Sequence, residues 1–365
     1  MIYQPVKFTS QRTDEFLRNL RQRVNEYFDE HQISTYGNHE MVLKTIAMLA
    51  MLFIPYGLIV SGLLSNGWLL LLCWLVMGIA NAGIGMSVTH DANHGSYSKN
   101  QAVNRALGHM INFLGGFTAN WKIQHNRLHH SFTNIDGHDE DIAPGPVLRL
   151  HPEQPLLKHH RAQHIYAWFV YSLMTIFWVT GKDFKQLNRY KNNGLLGKRP
   201  GKYQDLLTKL IGTKVMYFGY IMVIPLLFSA APWYMTVGFF LLMHLVTGFI
   251  LAAVFQLAHV MPSSEFPVAN PEGEMDTHWA VHQLETTTNF SQKSKIFSWY
   301  VGGLNFQIEH HLFPNICHIH YKKLSKIVAE TAKEHGLPYN VQGNFIDALR
   351  KHGQILKSLG RQAAL

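Results

Sequence analysis

The sequence predicts an all-α integral membrane protein: four transmembrane helices in two hairpins, plus a cytoplasmic helical cap carrying a metal site. Three observations predict it. Four uncharged stretches are each long enough to cross a bilayer, Lys and Arg gather between and after them, and three dense histidine clusters lie beside them. The mean hydropathy of -0.03 over 365 residues conceals this pattern, because charged segments offset the apolar ones.

Residues 13–30 place Phe16, Leu17, Leu20, Val24, Tyr27 and Phe28 at helical spacing among charges, an amphipathic helix. Its acidic residues Asp14, Glu15, Glu26, Asp29 and Glu30 favour packing on the cap over lying on anionic lipid. Spans follow at about 45–63 and 66–89, joined through Ser65-Asn66-Gly67. A second pair, about 215–233 and 234–258, is joined through Ala231-Pro232 and interrupted only by His244. A hydrocarbon core of about 30 Å takes roughly 20 apolar residues per helix. Between the pairs, apolar residues 165–180 are short for a span and read as an interfacial or re-entrant helix. A fifth crossing there would put the following basic segment on the wrong side.

That segment, 181–214, holds Lys182, Lys185, Arg189, Lys191, Lys198, Arg199, Lys202, Lys209 and Lys214 against Asp183 and Asp205. Positive charge stays on the cytoplasmic side, so the termini and the middle segment are expected there. The net charge of +9 then suits an anionic membrane face rather than nucleic acid. Three parts result: a cytoplasmic amphipathic segment (1–42), a domain bearing spans and site (43–325), and a cytoplasmic helical tail (326–365). Cys73 and Cys317 form no CxxC pair, and the polar first 40 residues contain no cleavable signal, so the first span is expected to direct insertion. Buried helices of a large soluble enzyme are the competing reading.

The chemistry lies in His90-Asp-Ala-Asn-His94, His125-Asn-Arg-Leu-His129-His130 and Gln307-Ile-Glu-His310-His311. Neutral imidazole offers a lone pair near neutral pH and is the commonest protein metal ligand. Spacing i, i+4 stacks His90 with His94 and His125 with His129 on one helix face. His130 should lie about 100° further round, free to reach a second ion. Adjacent His310 and His311 diverge and can serve different ions. The topology puts all three clusters at one membrane face, where His259 closes the fourth span and adds a candidate ligand. His160/His164 and His278/His282 repeat the HxxxH spacing in basic or aromatic surroundings and read as ordinary hydrogen-bonding histidines. His282 is the exception, since the QLETTTNF after it leads toward the third cluster.

With NWKIQHNRLHHSFTN at 120–134, DTHWAVHQLETTTNF at 276–290 and GGLNFQIEHHLFP at 302–314, the chain resembles the membrane-bound fatty acid desaturases, the histidine-box di-iron enzymes, over about residues 43–325. Gln307 at the head of the third box resembles the acyl-lipid and front-end branch, including bacterial linoleoyl-CoA-desaturase-like proteins. The resemblance implies eight ligands, His90, His94, His125, His129, His130, His259, His310 and His311, holding two Fe ions. It also implies O2, a fatty acyl lipid or CoA ester as substrate, and electrons from a ferredoxin or cytochrome b5. The HPGG haem motif of many front-end members is absent and 42 leading residues are too few for a fused cytochrome, so the donor is expected to be a separate protein. Imidazole suits zinc and copper as well as iron, so a purified sample could contain zinc.

Eight neutral imidazoles leave the charge of two Fe(II) ions uncompensated. Asp91, Asp139, Asp141 and Glu309 are candidates to accept their ring N–H bonds, and Gln307 to ligate weakly or hold a water. Insertion of a cis double bond is the expected outcome. A hydroxylase, ketolase or conjugase acting on a lipid, alkane or carotenoid would use the same boxes. A transporter or haem-binding subunit would need its histidines within the spans, where only His244 lies.

Overall fold

The computed structural model describes residues 3–9 and 14–361. The expected helix start at residue 13 and the tail's last residues, 362–365, lie outside them. The first helix, α1 (Asp14–Glu30), buries Phe16, Leu20, Val24 and Phe28 against Leu324, Val328 and Ala332 of a later helix. An Arg23–Glu334 ion pair at 2.6 Å closes this contact, so α1 packs on the rest of the protein as its acidic residues suggested.

Among the described residues, four helices are long and apolar enough to cross a membrane: α2 (His39–Val60), α3 (Gly67–His94), and two more at Lys202–Phe228 and Trp233–His259. Asn38 and Asn66 cap α2 and α3, their side chains accepting main-chain N–H groups that have no helical partner. After α3 come α4 (Gln101–Gly108), α5 (118–132) and α6 (163–192), then α7 (Lys202–Phe228) and α8 (Trp233–His259). The third long helix corrects the sequence expectation of 215–233. It begins at Lys202, after Gly201 in the left-handed region, and stops at Phe228 because residues 229–232 turn the chain ahead of Pro232. The other three overlap the expected 45–63, 66–89 and 234–258: α2 starts earlier and ends at Val60, α3 runs on to His94, and α8 gains one residue at each end.

Helices α3 and α8 form the central pair. A Cβ on Gly78 would sit 2.8 Å from the Met243 carbonyl, so glycine permits this approach, and Thr247 Oγ1 donates to the Gly78 carbonyl at 2.9 Å. Residues 165–180 belong to the longer, bent α6, which packs along α8 and is not among the four long apolar helices.

Two buried polar groups at this level, Lys214 and His244, are fully engaged. The Lys214 ammonium donates to Asp183 Oδ2 at 2.6 Å and to the Gly115 and Trp178 carbonyls, pinning α7 to α6. His244 Nε2 lies 2.6 Å from the Tyr217 hydroxyl and Nδ1 3.1 Å from Thr175 Oγ1.

Later helices include α9 (Trp279–Thr286), α10 (Gln307–Leu312), α11 (Tyr321–Glu334) and α12 (Phe345–Leu359). Two parallel two-residue strand pairs tie this part together: β1 (Lys7–Phe8) with β2 (Glu274–Met275), and β3 (Asn289–Phe290) with β4 (Val341–Gln342). The loop before α10 turns at Gly302, where a Cβ would run into the Met86 carbonyl of α3. This close contact seats the third histidine box against the first.

Candidate metal centre

Box one closes α3. Residues Ile84–Thr89 are π-helical, the last α-turn carries His90 and His94, and Gly95 at φ 77° stops the helix. Box two lies on a second π-helical segment, Lys122–His129 within α5. The His130 N–H bonds to the His125 carbonyl five residues back, the spacing of a π-turn. Nε2 of His130 lies 3.2 Å from His125 Nε2. Box three is α10, and His259 is the last residue of α8.

The eight histidines converge. Ligand-capable atoms of His90, His94, His125 and His310 lie within 4.8 Å of one another, as do those of His129, His259 and His311. His130 groups with His310 and His311 and so stands between the two sets. His160 does not join them. It accepts the Leu157 N–H and contacts the Pro146 carbonyl, as expected of an ordinary hydrogen-bonding histidine. His278 caps α9, and buried His282 packs against the Phe8 ring at 5.1 Å. The residue that reaches the cluster from α9 is instead Gln283.

The outer nitrogens are held from behind. His129 Nδ1 lies 3.0 Å from Asp139 Oδ2, while the other Asp139 oxygen accepts the Asp141 N–H at 2.9 Å. His311 Nδ1 lies 2.6 Å from Gln283 Oε1, which also accepts from Thr133. His310 Nδ1 is 3.3 Å from the Tyr321 hydroxyl. Asn134, left-handed at φ 57°, donates its N–H to Asp139 and its amide to the His259 carbonyl, locking box two to α8. Gln307 Nε2 lies 3.0 Å from His259 Nε2, inside the cluster.

Of the four acidic candidates, Asp139 alone bonds a box histidine directly. Asp141 lies 3.7 Å from His129 and bonds Gln124. Asp91 turns to His318, and Glu309 accepts from Asn289 and Tyr339. Gln283, Thr133, Tyr321 and Asn134 carried no sequence signal beyond the suspicion that 283–290 lines the site.

Burial and mutual repulsion hold His125, His130, His310 and His311 well below the ordinary histidine range, so they are neutral with lone pairs available. His129 moves the other way: burial opposes its charge, but the Asp139 and Asp141 carboxylates outweigh that. Burial pushes Asp141 up to about 6 and Glu309 up to about 7.

Residues of this kind fit metal ions. Nε2 of His94, His129, His310 and His311 and Nδ1 of His130 and His259 are buried without a hydrogen-bond partner, a costly arrangement unless something else takes the lone pairs. His125 Nε2 lies 3.1 Å from His90 Nε2 and 3.2 Å from His130 Nε2. Two nitrogens each about 2.1 Å from one ion and roughly 100° apart would be separated by about 3.2 Å.

Comparison with known proteins agrees with this chemistry. The sequence model of the fatty acid desaturase family matches residues 66–343. An sn-1 linoleoyl-lipid 6-desaturase of Synechocystis is 36% identical across 98% of both chains. A second sn-1 linoleoyl-lipid 6-desaturase, from Arthrospira platensis, is 35% identical over 97% of this chain and 95% of its own. An acyl-lipid (8-3)-desaturase of Physcomitrium patens is 34% identical over 97% of this chain and 74% of its own. With a family match across most of its length and relatives of this similarity over nearly all of it, the chain belongs to the fatty acid desaturase family and is an oxidoreductase, a desaturase.

Proposed function

We propose that this chain inserts a cis double bond into a lipid-bound fatty acyl chain, using O2, two histidine-held Fe ions and electrons from a separate ferredoxin or cytochrome b5. One observation carries the reading: eight imidazoles converge, seven of them buried and His94 half-buried, most with an unpartnered nitrogen, and several are anchored on the opposite side. Bound iron would supply the O2 activation needed to remove hydrogen from an unactivated methylene, chemistry no side chain provides. His90, His94, His125, His129, His130, His259, His310 and His311 would hold it. Asp139 keeps the His129 proton on Nδ1, and Gln283 does the same for His311, so each presents Nε2 inward. Gln307 lies among the ligands and would hold His259 in place or add a weak donor.

Two hairpins with both termini and the cap in the cytoplasm complete the reading. The starts of α2 and α7 and the ends of α3 and α8 then share one membrane face, the face of the histidines, and 181–214 keeps its positive charge there. The parts 1–42, 43–325 and 326–365 follow as a packed amphipathic segment, the catalytic domain and a helical tail. The acyl-lipid names of the relatives favour a lipid-bound linoleoyl chain and position 6 over a CoA ester. They do not favour a hydroxylase or ketolase. His244, held on both ring nitrogens, offers no path for a transported ion.

Expression in a host that contains linoleoyl lipid but no such enzyme tests this. Mass spectrometry of derivatised fatty acids should find a new triene that disappears in His129→Ala and His310→Ala. A hydroxy or keto lipid with an unchanged double-bond profile would overturn the reading.

A further inference from the structure

Behind His90 lies a second buried polar cluster. Lys44, near the start of α2, is 3% exposed, and its Nζ is 2.7 Å from His318 Nε2. His318 Nδ1 is 2.8 Å from Asp91 Oδ2, which also accepts the Cys317 thiol at 3.1 Å and the His318 N–H at 3.3 Å. The other Asp91 oxygen, Oδ1, faces His90 Nδ1 at 3.8 Å. Asp91, Cys317 and His318 have the spacing of a small metal site, but their polar atoms already satisfy one another. The cluster needs no ion.

Its protons have a fixed direction. An ammonium has no lone pair, so Lys44 donates and His318 Nε2 accepts. His318 then carries its proton on Nδ1 and gives it to Asp91, which stays a carboxylate. On the far side, His90 turns Nε2 toward His125, leaving Nδ1 as its outer nitrogen with no hydrogen-bond partner. When Nε2 gives up its lone pair, Nδ1 must hold the ring proton, and the Asp91 carboxylate faces it.

We propose that Lys44 and His318 are positioning residues that hold the Asp91 carboxylate against His90 Nδ1, fixing the orientation and donor strength of one imidazole at one ion position. This rests on the two-ion reading of the centre. At 3.8 Å the contact is a charge facing a dipole rather than a hydrogen bond. It still favours the Nδ1–H tautomer and makes the ring a stronger donor. An ammonium in this place is costly to bury and is offset only through His318 and Asp91, with some help from the Trp299 ring 5.3 Å away. An apolar side chain would fill the space at less cost, so packing alone does not account for Lys44. The ring proton of His129 rests on Asp139 with no link to this cluster, so the effect belongs to the His90, His94, His125 and His310 set.

The test is release of iron to a chelator from purified full-length protein loaded anaerobically with ferrous iron. Thermal midpoint and helical circular dichroism serve as folding controls. Wild type should hold two irons per chain. Lys44→Met and His318→Gln should lose one of them about 10–100-fold faster, the other unchanged, with Lys44→Arg restoring most of the difference. A merely structural role would loosen both irons together, and that result, or unchanged release, overturns the proposal. His318→Gln keeps both charges of the cluster and decides the matter if Lys44→Met does not fold. A wild type that binds no pair of irons would instead break the two-ion reading beneath it.

Discussion

Two regions of this protein bury histidine in opposite ways. Within α8 and on the C-terminal helix, two buried histidines are closed on both sides. His244 lies between Tyr217 and Thr175, and His352 contacts the Tyr171 hydroxyl and the Val260 carbonyl, each at 2.8 Å. At the ends of α3 and α8 and on α5 and α10, histidines are closed on one side at most and open toward each other. A buried polar atom without a partner costs on the order of 1–3 kcal/mol, so several in one place would be a heavy burden for a fold that gained nothing from them. The first region spends its polar groups on holding helices together. The second keeps them free for a ligand.

If that division is right, damage in the first region should appear as lost stability and damage in the second as lost metal. Lys214→Met gives the largest expected effect. It leaves the Asp183 carboxylate buried without its ammonium, at a cost of about 3–5 kcal/mol in unfolding free energy. Protein that remains folded should bind iron as wild type does. Lys214→Met with Asp183→Asn should recover part of the loss, read by denaturant titration in detergent. Iron lost at unchanged stability would break the comparison.

Asp139→Asn should do the reverse. An amide cannot act as the anionic acceptor for His129 Nδ1, and iron affinity should fall about 10–100-fold, or about 1.4–2.7 kcal/mol, measured by competition with a chelator. The melting temperature of the metal-free protein should move little. A large drop in it would move Asp139 into the structural group.

His352 gives a smaller effect with a definite sign. Burial pushes its ring down to about 4 from an ordinary 6.5, and the neutral form is already hydrogen-bonded. A depressed folded-state value means its contribution is complete above about pH 6.5 and is lost as pH falls toward 4. Between pH 7 and 5.5 the wild type should lose about 1 kcal/mol from this ring. His352→Gln should show a correspondingly shallower decline in thermal midpoint over that range. An equally steep decline would place the titration elsewhere.

The division was only partly legible in the sequence. The charge pattern located the long helices, but their ends moved where a cap or a proline decided them, as at Asn38 and Pro232. The boxes were legible because imidazoles are rare enough that three clusters are conspicuous. The π-helical segments at boxes one and two were not, because nothing in Lys122–His129 distinguishes a wider turn from an α-turn. Gln283, Asn134 and Tyr321 were hidden for another reason. Gln283 and Tyr321 lie on helices and Asn134 in a turn, and only tertiary contact shows which of many such residues stands behind a histidine.

The smallest expected effect divides the metal region itself. Asp139 holds His129 at 3.0 Å with a full charge, whereas Tyr321 meets His310 at 3.3 Å with a neutral hydroxyl. A neutral hydrogen bond contributes less than a charge-assisted one, and this one is also the longer. Tyr321→Phe should therefore weaken iron binding by no more than about threefold, or roughly 0.6 kcal/mol, well short of the effect of Asp139→Asn. The buried ring of Tyr321 would be retained, so folding should be unaffected. If Tyr321→Phe matched Asp139→Asn in chelator competition, geometry rather than charge behind the histidines would govern the metal, and the two ion positions would be equivalent. A clear difference would make them unequal, with the ion beside His129, His259 and His311 set in the more strongly anionic surroundings.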